Sequence, residues 1–383
     1  MKRRTVLASG LASLGTAVLG TWTRSLVHTE SYLGPVQAVV PVVGDGKWIW
    51  TETPQGQTGY LEPRHFELSI GVELRGEGDA LNIEAATPVP LDHPEQKIDS
   101  VRLDTEGCQA SFQEVGEGAS LLYFSASQIG RGQKIWAIAH YKLTLKKQYL
   151  GYAVGHFPAE QPPPPAPIRK QYLQESPGIQ TSSPEVRKLL VQLRSQDQPH
   201  PWRLAERCQA WIAENIQPQV GKFIGVVNSL KARHGDCEEM AAIFVAVCRA
   251  AAIPARLVWV PNHNWAEFYL TNHEGTGCWI PVHTACYRWF GWTGVHELVI
   301  QKGDRVTPLH ERKPQRLLGD WLQWVGKRPA VRYVAELKPL PPVADSPASP
   351  SDNDAGPGAR SKQTSGEWKL VGNHSLDRYM RNG

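Results

Sequence analysis

Two regimes of hydrophobic patterning divide the chain. From about residue 45 to residue 156 apolar and polar positions alternate: Phe66, Leu68, Ile70, Val72 and Leu74 share one face of a strand over 65–75, and Ala137, Ala139, Tyr141 and Leu143 do the same over 135–145. Turn-forming stretches such as Gly76-Glu77-Gly78-Asp79 and Gly130-Arg131-Gly132 separate the runs, and together they predict an antiparallel β-sandwich over 45–157. The period then becomes that of a helix. Ser183-Pro184-Glu185 supplies a cap, an N1 proline and a first-turn acid ahead of Val186, Leu189, Leu190 and Leu193. Leu204, Cys208, Trp211 and Ile212 mark a second helix, and Met240, Ala241, Phe244, Val245 and Cys248 a third. Short strands follow at 256–260 and 265–270, with a last one at 331–337. Strand-rich first half, helical lobe, then a second sheet: the fold class is α+β.

The segments between and around these parts differ in composition. Pro158, Pro162 to Pro165 and Pro167 favour an extended polyproline spacer, which places a linker at 158–170 and a second domain at 171–337. Residues 338–383 begin with a stretch rich in Pro, Ser, Ala, Gly and Asp and lacking apolar periodicity, a composition that predicts a disordered tail. At the other end, Lys2-Arg3-Arg4 precedes an apolar run from Val6 to Gly20. Residues 1–28 therefore read as an export signal, with Arg3-Arg4 followed by Val6 and Leu7 resembling a twin-arginine leader, and the expected location is periplasmic or extracellular. The run is short for a bilayer span and no other segment qualifies, so no integral membrane segment is expected in the mature chain.

Composition narrows the function. A net charge of +4 over 383 residues, without a dense basic block, argues against nucleic acid as a partner. Six cysteines, at 108, 208, 237, 248, 278 and 286, lack the regular spacing of a disulfide framework. There is no EF-hand loop and no glycine-rich phosphate cradle, so the sequence implies no cofactor. Oligomeric state is not legible.

The chemistry concentrates in residues 233–267. Gly235 and Asp236 form a turn and an N-cap immediately before Cys237, so Cys237 heads the third helix. Unpaired N–H groups and the positive dipole end at that position favour a thiolate. His263 follows the turn at Pro261-Asn262, at the mouth of the strand 265–270, where it can serve as general base. Singly, each residue also has a structural reading: free cysteines are commonly buried and a histidine beside a turn is commonly a packing residue.

Jointly these motifs resemble the transglutaminase-like superfamily. They are Gly235-Asp236-Cys237-Glu238-Glu239, Ala251-Ala252-Ile253-Pro254-Ala255-Arg256, His263-Asn264-Trp265-Ala266-Glu267 and Trp279-Ile280-Pro281-Val282-His283, and the resemblance runs from about residue 172 to about residue 310. It implies a papain-like core behind the β-sandwich, a protein or peptide substrate, and acyl transfer from an amide through a thioester, ending in cross-linking, deamidation or peptide hydrolysis. The implied catalytic residues are Cys237, His263 and, at the position where most of the family has aspartate, His283. An imidazole there can accept a hydrogen bond from His263 but adds no negative charge, and its protonation below about pH 6.5 is expected to lower reactivity. The Cys237 backbone N–H is the one oxyanion donor the sequence suggests. Two alternatives use the same residues: a catalytically inactive binding module, favoured by His283, and a zinc site built from His234, Cys237, Cys278, His283 and Cys286.

Overall fold

The computed structural model describes residues 58–116, 118–194, 200–285, 289–308 and 311–341. The expected leader and nearly all of the expected tail lie outside the described residues. In chain order the strands of the first half are β1 (Gly59–Arg75), β2 (Ala80–Val89), β3 (Gln96–Glu106), β4 (Gln109–Glu114), β5 (Ser120–Ile129) and β6 (Lys134–Tyr149). Helices α1 (Ala166–Tyr172), α2 (Pro184–Arg194) and α3 (Pro201–Asn215) follow, then β7 (Gln217–Pro218), α4 (Val226–Ala232), β8 (His234–Gly235) and α5 (Cys237–Ala250). The rest are strands: β9 (Ala255–Val260), β10 (His263–Thr271), β11 (Gly277–Val282), β12 (Trp292–Thr293), β13 (Gln301–Lys302), β14 (Trp321–Gly326) and β15 (Ala330–Pro339).

The alternation in the first half builds two antiparallel sheets. One has the order β12-β6-β1-β15, with β3 also on β6, and the other β14-β2-β5-β4. The expected inward face of β1, Phe66 to Leu74 in steps of two, shares one core with Ile83 and Ala85 of β2, Leu122 and Phe124 of β5, and Ala137 to Leu143 of β6. The sequence reading assigned the strand at 331–337 to the second domain. It exists as β15, but it pairs along β1 from Phe66↔Pro339 to Arg75↔Ala330, and β14 pairs with β2. Alternation fixes which residues face inward and carries no address for the partner, so the return of the chain was not readable.

The proline-rich segment is likewise more than a spacer. Its end is helical, with α1 starting at Ala166 and Pro167 in the first turn, where a missing N–H costs nothing. Gln161 pins its start to the end of β10, donating to the Thr271 carbonyl (3.2 Å) and accepting from the Thr271 N–H (2.7 Å).

The second half is built around α5. Every residue from Cys237 to Arg249 is buried, because β9 and β10 cover one side while α2, α3 and α4 cover others. The sheet it lies on has the order β11-β10-β9-β13. Phe244 of α5 meets Phe268 of β10 with ring centroids 6.0 Å apart. At the far end of the helix the buried Arg249 clamps this packing: it donates to the Ala255 carbonyl, to both oxygens of Asp304 at 2.8 Å, and to Ser176.

Candidate active site

Cys237 is the first residue of α5, as its sequence neighbours require. Asp236 caps the helix and accepts from the Glu238 N–H (2.9 Å), while Glu239 reaches back to the Asp236 N–H (2.9 Å) and also accepts from Ile224 (2.8 Å). Gly235 is needed immediately before the cap, since a Cβ there would stand 2.5 Å from that of Glu239. Glu238 turns to Arg316, whose guanidinium lies 3.7 Å from the Phe223 ring centroid. The cap carboxyls are held as weak acids. Burial, helped by the proximity of Glu239, pushes Asp236 up to about 8. Burial, with Asp236 adding to it and Arg316 opposing it, brings Glu238 to about 7.

His263 opens β10 at the tip of a hairpin whose two turn residues are Pro261 and Asn262, the latter at φ 63°, a conformation asparagine tolerates. The strand therefore starts two residues earlier than the sequence pattern indicated. Ala266, Phe268 and Leu270 belong to the core shared with α5, whereas Trp265 packs with Val258, Val260 and Val299 on the other side of the sheet. Strict alternation then gives His263 the face of Trp265 and gives Asn264 the face turned to α5. Contacts agree: the His263 ring is 6.2 Å from Trp265 and 5.8 Å from His283, and His283 stacks on Trp265 at 4.9 Å.

The structure thus brings His263 and His283 together, and it changes what the second does. The expected hydrogen bond between the rings is not made: among the described residues neither nitrogen of His263 has a partner, which also means no hydrogen bond to Cys237. His283 instead lies nearly parallel to His263, at 28°, and its Nε2 is 3.1 Å from Thr293 Oγ1. Its backbone carbonyl and that of Trp289 both accept from Gln209 of α3, at 2.7 and 2.9 Å. The expected titration near pH 6.5 is displaced as well. Burial drives His263 down to about 3, and burial plus the neighbouring His263 drives His283 well below its ordinary value.

The acid and the arginine of the motifs form their own buried network. Arg256 pairs with Glu267 at 2.6 Å and lies 3.8 Å from the Trp279 ring centroid. Lys302 bridges Glu267 (2.8 Å) and Glu95 of the sandwich (2.6 Å). Burial works to raise Glu267, but Lys302 and Arg256 outweigh it and hold the carboxyl at about 2. These residues fix β10 four positions beyond His263.

Of the expected zinc ligands Cys286 lies outside the described residues, and the described ones are not gathered into a site. Cys278 faces the α5 core from the start of β11, while His283 follows the end of that strand on the other face, five residues or about 17 Å along it. Among the described residues no three His, Cys, Asp or Glu side chains gather as a metal group. Those that sequence reasoning missed are Asn264, Gln209 and Thr293. Gln209 and Thr293 lie outside every motif and carry no sequence signal, whereas Asn264 sits inside one, and the polar residue in an otherwise apolar inward face of β10 was the available clue.

A cysteine at the head of a buried helix, laid on an antiparallel sheet with a histidine at its hairpin tip, defines an α+β core of the cysteine-enzyme kind. Residues 188–284 match the family model of the transglutaminase-like superfamily. Solved structures similar to this chain include a putative cysteine protease from Cytophaga hutchinsonii, at 14% identity, covering 77% of this chain and 95% of that one with a TM-score of 0.48. Another is the periplasmic domain of TgpA from Pseudomonas aeruginosa, at 14% identity, 60% of this chain, 94% of that one and a TM-score of 0.27. None of the curated proteins matches the chain.

Proposed function

We propose that the protein is a cysteine-dependent acyltransferase or amidase acting on protein or peptide amides, exported from the cytoplasm by its leader. The observation that carries the reading is the position of Cys237, the capped first residue of the buried helix that packs on the sheet bearing His263. In this reading Cys237 and His263 meet around the tip of the β9–β10 hairpin when substrate is bound, since both lie at the same end of α5 and the sheet. There His263 takes the thiol proton, the sulfur attacks the amide carbon, and the tetrahedral intermediate expels an amine that His263 protonates. An amine or water then resolves the thioester and regenerates the thiol. His283 acts by stacking, as a wall that fixes the position of the His263 ring. The export reading rests on the basic, then apolar, N-terminus, and among the described residues no helix is long and apolar enough to cross a membrane.

A second reading, an inactive binding module, is favoured by one observation, the lack of a hydrogen-bond partner for either His263 nitrogen. One experiment separates them. The purified protein is incubated with a glutamine-containing peptide and a labelled amine while label, ammonia and new peptide termini are followed together. Label marks a transferase, ammonia alone a deamidase, new termini a peptidase, and Cys237→Ala should abolish whichever appears. Brief iodoacetamide treatment should modify Cys237 ahead of Cys208 and Cys248, whose thiols burial pushes up, and ahead of Cys108, pushed up to about 11. No product of any kind, with Cys237 inert, would establish the binding module instead.

A further inference from the structure

Asn264 is 1% exposed, and neither its amide nitrogen nor its amide oxygen has a hydrogen-bond partner among the described residues. A buried amide left wholly unpaired forfeits the hydrogen bonds that water would give it, and while the ring nitrogens of His263 and Trp265 are also unpaired on the opposite face of β10, on the α5 face Asn264 stands among apolar residues and marks a place where something else binds. The face Asn264 occupies is that of Ala266 and Phe268, toward α5.

The level it occupies follows from the packing of α5 on the sheet. Arg249, at the end of α5, bonds the carbonyl of Ala255 at the start of β9, so β9 runs back along the helix. β10 is antiparallel to β9 and therefore runs the same way as α5. Phe244 and Phe268 are in ring contact, which levels the two elements at that point. From there Cys237 lies seven residues back along the helix, about 10 Å, and Asn264 four residues back along the strand, about 13 Å. Seven residues is also close to two full turns, so Cys237 leaves α5 on the side from which Phe244 meets the sheet. Cys237 is buried in the same core cluster as Ala266 and Val282. Thr284, two residues beyond Val282, adds a fully buried hydroxyl without a partner.

We infer that the Asn264 side-chain amide is an oxyanion donor for the reaction of Cys237, a role that rests on the acyl-transfer reading above. When the Cys237 sulfur bonds to the amide carbon, the carbonyl π pair moves onto oxygen, and that oxygen accepts from Asn264 Nδ2 and from the Cys237 backbone N–H. On collapse the pair returns to re-form the carbonyl and the amine leaves with the proton held by His263. An amide that makes no hydrogen bond in the resting protein has nothing to break before it serves the transition state, which is the condition for preorganised stabilisation.

The test compares a reaction that builds an oxyanion at Cys237 with one that does not. Wild type and Asn264→Ala are assayed for acyl transfer from the glutamine peptide, for reversible inhibition by a peptide aldehyde, whose hemithioacetal oxygen would occupy the same place, and for iodoacetamide alkylation of Cys237. Asn264→Ser, which keeps a small polar group but withdraws the amide, carries the comparison should the alanine variant not fold. The expected result is a fall in kcat/KM of about 10²- to 10³-fold and a parallel loss of aldehyde affinity, with alkylation within about threefold of wild type. Unchanged acyl transfer and aldehyde binding would overturn the role of Asn264 while leaving the enzyme reading intact. A fall in alkylation as large as the fall in acyl transfer would make Asn264 a packing residue. Wild type inert to both aldehyde and peptide would sink the acyl-transfer reading itself, and this inference with it.

Discussion

His263 and His283 are the residues whose chemistry departs most from a charged cysteine–histidine pair. Both rings are almost wholly buried among Trp265, Trp289 and each other, and a second imidazolium beside the first would be repelled. With His263 held at about 3 and His283 well below its ordinary value, neither ring is charged at neutral pH. The resting imidazoles are then neutral and no thiolate–imidazolium pair is formed, so proton transfer to His263 accompanies attack instead of preceding it. Two measurements follow. Ultraviolet difference spectra of wild type against Cys237→Ala at neutral pH should show little thiolate, and the acid limb of kcat/KM should lie far below the ordinary histidine value of about 6.5. A strong thiolate band with a limb near that value would mean that water reaches the rings. His283→Ala removes the stacked wall without removing a charge, so it should lower kcat more than it alters the pH profile.

At the scale of elements, α5 is held at both ends by carboxyl groups, and the two ends differ in kind. The N-terminal end carries the cap acids, whereas the C-terminal end carries Arg249 on Asp304, both almost inaccessible, with the Leu257 N–H donating to Asp304 at 3.0 Å. This clamp ties the helix, β9 and the segment of Ser176 in one fully bonded group. Asp304→Asn would leave Arg249 as an unmatched buried cation, at a cost of about 3–5 kcal/mol in urea unfolding, while Arg249→Met with Asp304→Leu together should cost markedly less. Equal losses in the single and double variants would show that the packing, and not the charge pair, supplies the stability. Neither partner was legible: both look like ordinary surface charges in sequence, and Asp304 is 55 residues from Arg249. What was legible were properties written locally, such as the cap before Cys237, the helical stripes of α2, α3 and α5, and the inward face of β1. Strand partners depend on register between distant segments, which no local pattern encodes.

For the whole molecule, the buried ionisable groups set a definite dependence of stability on pH. Burial, first among the causes in each case, depresses four histidines in the folded state: His93 to about 3, His263 to about 3, His296 to about 4, and His283 well below its ordinary value. A depressed histidine is neutral when folded and protonated when unfolded below about 6.5, so its contribution is complete above that pH and is lost as pH falls toward the folded value. Burial likewise raises three carboxyls, Asp236 to about 8, Glu238 to about 7 and Glu297 to about 8. Their sign is opposite: a raised acid keeps its proton when folded, so its contribution is complete below the unfolded value near 4 and is lost as pH rises through 7 to 8. Between about 4.5 and 6.5 the four histidines narrowly outweigh the three acids and stability climbs gently with pH; above about 6.5 only the acids remain and it falls. Below about 4 the acids cease to oppose the histidines and Glu267, held at about 2, joins them, so the loss steepens. Urea midpoints across this range should therefore peak near pH 6.5 and drop more sharply on the acid side than on the alkaline side. Glu238→Gln should flatten the alkaline descent while leaving the acid descent in place. A midpoint still rising at about pH 8 would show that the cap acids of α5 are ionised and solvated in the folded protein.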